Sequence, residues 1–534
     1  MAFLLRGIVT CGLALLSAGL AAIPAVAAAA PLTEAEERGR QIYFSGESPS
    51  GEDITAYLSM GGEQLELPGE AATCGSCHGH DGTGRPESGV LPSNITWSHL
   101  TRAYGHVHAG DLEHPAFDEE SLRVYMRTGV YPGGRRGDPS MPFYAISDAD
   151  LDDLVAYLRL VGTLTDPGLT ATSIRIGTVI PADGPLAPAG GAIRQVLEAY
   201  FAEANRTGGI YGRRLELAVH AVPEEDAAVP EAMDAWLAEA QPFALLSPFT
   251  PRMDFEAQSA IAGRGIPVIG PFTLYAIGNF TLNRNIFYLY PGLGEQLEAL
   301  LVDANRRLAP SRPDAAVLYP GDSPLAEVRG SLGKAARKLE WPALREESFR
   351  AGQLDWAAAV RRLRKDGIDV VVFLGVETEL RALLDAAAQA GWHPDVLVPG
   401  PLAGTMLFDA PAAFAGRLHL AYPTLPQDRQ DWGLREIFRL LAASDLPRAH
   451  VQAAISAHAA AKVLVEGLRR AGRELGRREL VGQLEKLYEF ETGLTPPITY
   501  TANRRVGARG AYVVSPDSLV EGRLPAKVEW VEVD

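Results

Sequence analysis

The alternation of apolar and polar positions divides the chain into distinct textures. From residue 173 onward, short β-branched apolar runs alternate with Ala-, Leu-, Glu- and Arg-rich stretches of helical period. Ile174–Ile180, Leu215–His220, Phe243–Leu246, Pro267–Ile269, Ala315–Tyr319, Val370–Leu374 and Val396–Val398 predict buried strands. Ile193–Asn205, Pro291–Arg307 and Trp356–Lys365 predict helices between them. Strands apolar on both faces and separated by helices imply a parallel α/β sheet. Residues 31–165 are instead loop-rich and dense in Gly, Pro and His. There the pattern predicts helices at Leu122–Thr128 and Ser147–Val161, and a small hairpin strand at Ile54–Leu58. Ser147 is a good N-cap, Asp148 and Asp150 suit the positive helix start, and Leu151, Leu154, Val155 and Leu158 form one apolar stripe. Pro167 and Gly168 break the pattern in a linker at 166–172.

Residues 1–30 carry Arg6, an apolar run and then Ala25-Val26-Ala27. This is the layout of a secretory signal peptide with cleavage after Ala27 to Ala30. The alternative is an uncleaved anchor, because the run approaches spanning length. No other segment has about 18 consecutive apolar residues. Signal removal therefore leaves no integral membrane segment.

Composition narrows the class. The chain has 534 residues, 47% hydrophobic and 22% charged, which excludes a disordered protein. Its formal net charge of −17 argues against a nucleic-acid partner. The three cysteines, at 11, 74 and 77, exclude a disulfide framework. If the signal is removed, two remain.

Those two stand in Cys74-Gly75-Ser76-Cys77-His78, a C-x-x-C-H sequence. Two thiols at this spacing add to the two vinyl groups of one haem edge, and the next residue turns an imidazole to the iron. A zinc site needs further ligands, and a redox dithiol belongs in a strand–helix unit, whereas the flanks here are Gly- and Pro-rich. The expectation is one covalent haem c, with Cys74 and Cys77 as thioethers and His78 as the proximal ligand.

Ala35–Phe44, Cys74–Gly84, Met141–Tyr144 and Ser147–Val161 together resemble a class I c-type cytochrome domain. The resemblance implies a small all-α fold over 31–165, with Gly39 letting the first helix cross the last. A 47–73 insertion departs from it. Met141, 63 residues after His78 and flanked by Pro139 and Pro142, matches the distal-ligand loop. A thioether there favours ferrous iron. Met126 in a predicted helix reads as core, Met60 lies in the insertion, and a histidine is the remaining option. Tyr43, Tyr144, Trp97 and Tyr157 read as haem-packing residues or plain core. His99, His106, His108 and His114 read either as solvated loop histidines or as a second metal site.

Residues 173–534 contain no G-x-S-x-G, P-loop or H-E-x-x-H motif. The first strand runs through Ile180–Gly190 into a helix, a geometry that takes anionic groups, but without G-x-G-x-x-G it does not suit a dinucleotide. Ile176–Arg214, above all Asn205–Gly212, then Asn283–Pro291 and Pro497–Arg504, resemble periplasmic substrate-binding proteins of the leucine/amide-binding type over 173–515. The resemblance implies a two-lobed α/β type I periplasmic-binding fold over 173–534, with lobe one near 173–290, lobe two near 291–420 and the C-terminal part shared. A small organic ligand would lie between the lobes: an amino acid, an amide or an aromatic acid. Ser247, Thr250 and Thr273 match the family's ligand loops. Pro248, Phe249 and Phe272 depart from its small-residue pattern, which points to an apolar or aromatic ligand. Tyr275, Tyr319, Asp322, Glu377 and Tyr422 are further candidates. Glu377, after a buried strand, reads either as a contact or as a solvated helix start.

The implied whole is a multidomain periplasmic electron carrier with a fused ligand-binding domain and a redox partner protein, not an enzyme. The alternatives are a transport receptor with haem as sensor, a docking subunit of a periplasmic dehydrogenase, and a peroxidase with an open haem site.

Overall fold

The computed structural model describes residues 32–533 apart from 61–62, 80, 85–91, 109–111, 164, 224–228, 251–260, 262–263, 277–283, 322–324 and 443–449. The expected signal segment, the side chain of Met60 and Asp322 lie outside the described residues. The chain forms two compact units, Met1–Leu164 and Thr165–Asp534.

In the first unit, α1 (Glu34–Ser45) begins at a capping box in which Thr33 and Glu36 exchange backbone and side-chain bonds. It crosses α5 (Asp148–Leu158), and Arg38 Nε donates to Asp153 Oδ2 at 2.6 Å. The crossing depends on Gly39, because a Cβ there would lie 1.9 Å from the Asp153 carbonyl oxygen. Between these helices come α2 (Cys74–His78), α3 (Trp97–Leu100) and α4 (Glu119–Thr128). Ile42, Tyr43, Leu122, Met126, Leu151, Leu154 and Leu158 form the core, so Met126 is a core residue.

The unit is not purely helical. β1 (Thr55–Met60) and β2 (Glu63–Pro68) form a hairpin within the insertion. β3 (His106–His108) and β4 (Leu112–His114) form a second hairpin. β5 (Phe143–Ala145) joins β1 antiparallel. The second hairpin corrects the expectation of solvated histidines. His106 and His114 are buried, and their rings stack 4.7 Å apart. His114 stacks in turn on Tyr131 at 4.1 Å, and Tyr131 on Tyr125 at 4.6 Å. Among the described residues, no group of three His, Cys, Asp or Glu is placed to hold a metal.

The second unit holds two sheets. The first has the order β10-β9-β8-β6-β7, all parallel: β6 Ser173–Pro181, β7 Arg214–Val222, β8 Ala244–Leu246, β9 Val268–Ile269 and β10 Ile286–Phe287. The second has the order β12-β11-β13-β14-β15-β16-β17: β11 Ala315–Pro320, β12 Arg345–Phe349, β13 Val370–Phe373, β14 Asp395–Pro399, β15 Leu418–Tyr422, β16 Gly510–Val514 and β17 Trp530–Glu532. Its last two strands are antiparallel additions.

Helices cover both faces of each sheet, which is why the strands read as continuous apolar runs. α6 (Ala187–Arg206), α12 (Asp431–Leu441), α13 (Val451–Ala471) and α14 (Arg477–Leu484) pack on one face of the first sheet, and α7 (Val229–Ala240) on the other. α8 (Leu293–Leu308) and α9 (Leu325–Lys338) cover one face of the second sheet; α10 (Trp356–Lys365) and α11 (Glu377–Gln389) cover the other.

The chain passes between the sheets three times, near 288–293, 423–430 and 507–510. The first and third passages are paired: Tyr288 N donates to the Arg505 carbonyl and Gly507 N to the Tyr288 carbonyl, both at 2.8 Å. The linker is docked on the second unit, with Leu169 buried in its core and Asp166 accepting from Arg477 N at 2.5 Å.

Gly39→Ala forces α1 and α5 apart. It is expected to destabilise the first unit by about 1–3 kcal/mol, the usual cost of overpacking. Calorimetry of the full chain checks this as a lower Tm for that unit's transition.

Candidate functional site

The C-x-x-C-H segment folds as one helical turn beneath α1. A Cβ on Gly75 would meet the Phe44 ring at 2.7 Å, and Tyr43 OH donates to the Gly79 carbonyl at 2.7 Å. Cys74 faces the core and Cys77 faces solvent. Burial pushes the Cys74 thiol up to about 12, so it stays protonated at neutral pH.

His78 is buried, with Nδ1 2.8 Å from the Ser93 carbonyl oxygen. A carbonyl only accepts, so Nδ1 carries the proton and Nε2 presents its lone pair. Nε2 is buried with no hydrogen-bond partner among the described residues. Burial lowers the ring's pKa, with the Ser93 bond opposing, so the imidazole is neutral. A fixed neutral imidazole with one orphaned nitrogen, next to two cysteines, fits an iron porphyrin, because an unfilled buried acceptor is costly.

Met141 lies at the end of the 129–141 loop, half-buried against the same core. Its N–H donates to the Asp138 carbonyl at 3.0 Å. Tyr43, Tyr144 and Tyr157 are core residues, and Trp97 packs at its edge.

In the second unit, the candidates sit at the carboxyl ends of parallel strands, where such sheets bind ligands. Ser247 follows β8 in the left-handed region (φ 47°), and its hydroxyl is buried with no partner among the described residues. Thr250 is buried nearby, and Phe249 meets Phe272 edge to face at 5.1 Å. Thr273 Oγ1 accepts from Tyr275 N at 2.9 Å. Phe272 packs on the first sheet's core and Tyr275 on the second's, so this loop spans the lobes.

The remaining candidates are divided. Tyr319 lies on one face of the second sheet, its hydroxyl accepting from Arg329 at 2.6 Å. Tyr422 lies on the opposite face, its ring against Gly400. Burial pushes the Tyr422 phenol up to about 12. Glu377 opens α11 and accepts from Thr405 N at 3.0 Å and from Thr405 Oγ1, anchoring the 400–405 loop. Sequence reading missed Arg429, whose Nη2 donates to Gln452 at 2.9 Å while Nε is buried without a partner. In its polar PQDRQD context nothing local marks it. Tyr290 lies inside a noted run, but nothing there signals that its hydroxyl is buried near Gln452.

Two parallel sheets crossed three times, preceded by a helical unit with a metal-ready histidine, define a haem protein fused to a two-lobed binding fold. The chain belongs to the family described as "Periplasmic binding protein", whose model matches residues 173–519, and the cytochrome c model matches 70–161. A cytochrome c domain implies haem c. Among curated proteins no sequence matches this chain. Similar solved structures include a fatty acid ABC transporter substrate-binding protein from Thermomonospora curvata (18% identity, TM-score 0.51, 69% of this chain and 94% of that one). Another is a branched chain amino acid ABC transporter from Thermus thermophilus with bound valine (20%, 0.51, 68% and 96%). A third is an ABC transporter substrate binding protein from Aeropyrum pernix (17%, 0.51, 68% and 95%). At these identities they establish the fold alone. Among the described residues no helix is long and apolar enough to cross a membrane.

The Glu377–Thr405 bonds depress the Glu377 pKa below the ordinary 4.5, first through the Thr405 hydroxyl and then through its backbone N–H. A depressed carboxylate stabilises above its unfolded pKa and loses that effect as pH falls through the lower, folded value. The Thr405 amide is therefore expected to be protected from hydrogen exchange at neutral pH and to lose protection below pH 4.5, whereas Glu377→Ala removes it throughout.

Proposed function

We propose that this chain is a periplasmic one-electron carrier with a fused small-molecule receptor. The observation that carries the reading is the orphaned Nε2 of His78, fixed through Nδ1 by the Ser93 carbonyl. Cys74 and Cys77 would hold one haem c as thioethers, His78 would ligate it proximally and Met141 distally. When bound, the haem supplies reversible transfer of single electrons. With both His78 and Met141 holding the haem, no coordination place would remain for a substrate, which would favour carriage over turnover.

Charge indicates the partner. Residues 32–164 contain 21 acidic against 9 basic residues, all of them Arg, a balance of −12 out of the chain's −17. A redox protein with a basic docking face is the complement, and their association is expected to weaken with salt.

For the second unit, the Phe249–Phe272 pair beside the unpartnered Ser247 hydroxyl supports a ligand with an apolar or aromatic body and a polar end. The lobes would close on it across the three passages.

Met141→Ala is expected to abolish the low-spin methionine-ligated spectrum and lower the midpoint potential; an unchanged spectrum and potential would sink the distal assignment. A thermal-shift screen of amino acids, amides and aromatic acids is expected to raise the Tm of the second unit with an aromatic acid, and less so in Ser247→Ala. No shift with any of them would make the second unit a docking scaffold.

A further inference from the structure

The 47–73 insertion pairs with the segment that carries the distal methionine. In the β1–β5 ladder, Thr55 opposes Ala145, Ala56 opposes Tyr144 and Tyr57 opposes Phe143. Phe143 is two residues beyond Met141. The Tyr57 and Phe143 rings stack across the ladder, 5.3 Å apart and 23° from parallel. Ala56 and Tyr144 are buried in the unit's core.

The insertion is tied down at both of its own ends. Tyr144 OH donates to the Ala72 carbonyl at 2.8 Å, two residues before Cys74. Ser48 Oγ donates to Asp150 at 2.8 Å, at the start of α5. Within it, Gly69 N donates to the Ile54 carbonyl at 2.8 Å, and the close approach of Gly46 to Gly69 leaves no room for a Cβ. One strap therefore binds the Met141 side of the unit to the chain leading into the cysteine segment.

We propose that the insertion is a positioning element that clamps the Met141 loop and suppresses loss of the thioether from iron. The inference rests on Met141 being the distal ligand. A loop held only at its ends can swing out and expose the iron to an outside ligand. A loop that forms the edge strand of a three-stranded sheet must break backbone pairing and the Tyr57–Phe143 stack first. The opening equilibrium is thereby lowered, and with it the apparent affinity for any competing ligand. Tyr57, Phe143 and Tyr144 act through Met141 and touch no reacting atom in this role.

Imidazole is the probe, titrated into the ferric full-length holoprotein while the shift of the main haem absorption band, present in every variant, is followed. Tyr57→Ala and Phe143→Ala are each expected to raise imidazole affinity roughly two- to tenfold, the range set by one aromatic pair. Tyr57→Phe, which keeps the stack, is expected to restore wild-type affinity. Tyr144→Phe removes only the bond to Ala72 and is expected to shift affinity in the same direction by less. It also decides the matter if an alanine variant loses its far-ultraviolet dichroism. Met141→Ala gives the fully open limit. If Met141→Ala strengthens imidazole binding but none of the clamp variants does, the clamp is overturned and the distal assignment stands. If Met141→Ala changes nothing, the distal assignment falls and the clamp with it.

Discussion

One hydrogen bond, from His78 Nδ1 to the Ser93 carbonyl, organises the chemistry of the first unit. It fixes the tautomer, orients the ring and leaves one buried lone pair that nothing among the described residues satisfies. Tyr43 and Phe44, on α1, lie over the turn that carries the histidine, and Gly39 lets α1 lie against α5. If any of these contacts loosens, the ring is free to turn and satisfy itself with water. The packing of small residues around a single imidazole is thus a condition of its basicity toward a metal.

Much of this was readable in the chain. C-x-x-C-H carries its chemistry in its spacing, and Ser147, the Asp pair and the apolar stripe of α5 are local signals that the structure repeats. What could not be read is what depends on distant partners. Ser93 as an acceptor and the burial of His106 and His114 join residues whose local patterns read as loops, and the strand predicted at Ile54–Leu58 gave no sign that Tyr57 pairs with Phe143. Histidines in a polar stretch read as solvated until a tyrosine seventeen residues later supplies the ring that covers them.

The second unit divides the same way. Its central strands announced themselves because both faces are covered, leaving runs such as Val370–Phe373 and Val396–Val398 apolar throughout, whereas β7, expected to be buried, lies at an edge and is half-exposed along most of its length. β10, with two residues, and β12, with Arg345, Glu346 and Glu347, gave no such run. β12 is an edge strand, and its charges pair with Arg329, Arg362 and Asp366, as a sheet edge permits. The candidate ligand residues were located by their strand ends, but strand ends do not reveal side-chain direction. Tyr319 and Tyr422 therefore proved to be on opposite faces, and Glu377 was committed to its own loop.

The three passages between the sheets also order events in time. α6, made early, packs against α13, which begins some two hundred and fifty residues later. The second sheet's parallel strands, by contrast, come from one nearly continuous stretch, 315–422. During synthesis the first lobe's apolar face stays uncovered until α13 emerges, by which time the parallel part of the second sheet is already made; β16 and β17 then complete the second sheet last. In a chain built this way the first core cannot close until segments some two hundred and fifty residues apart have met.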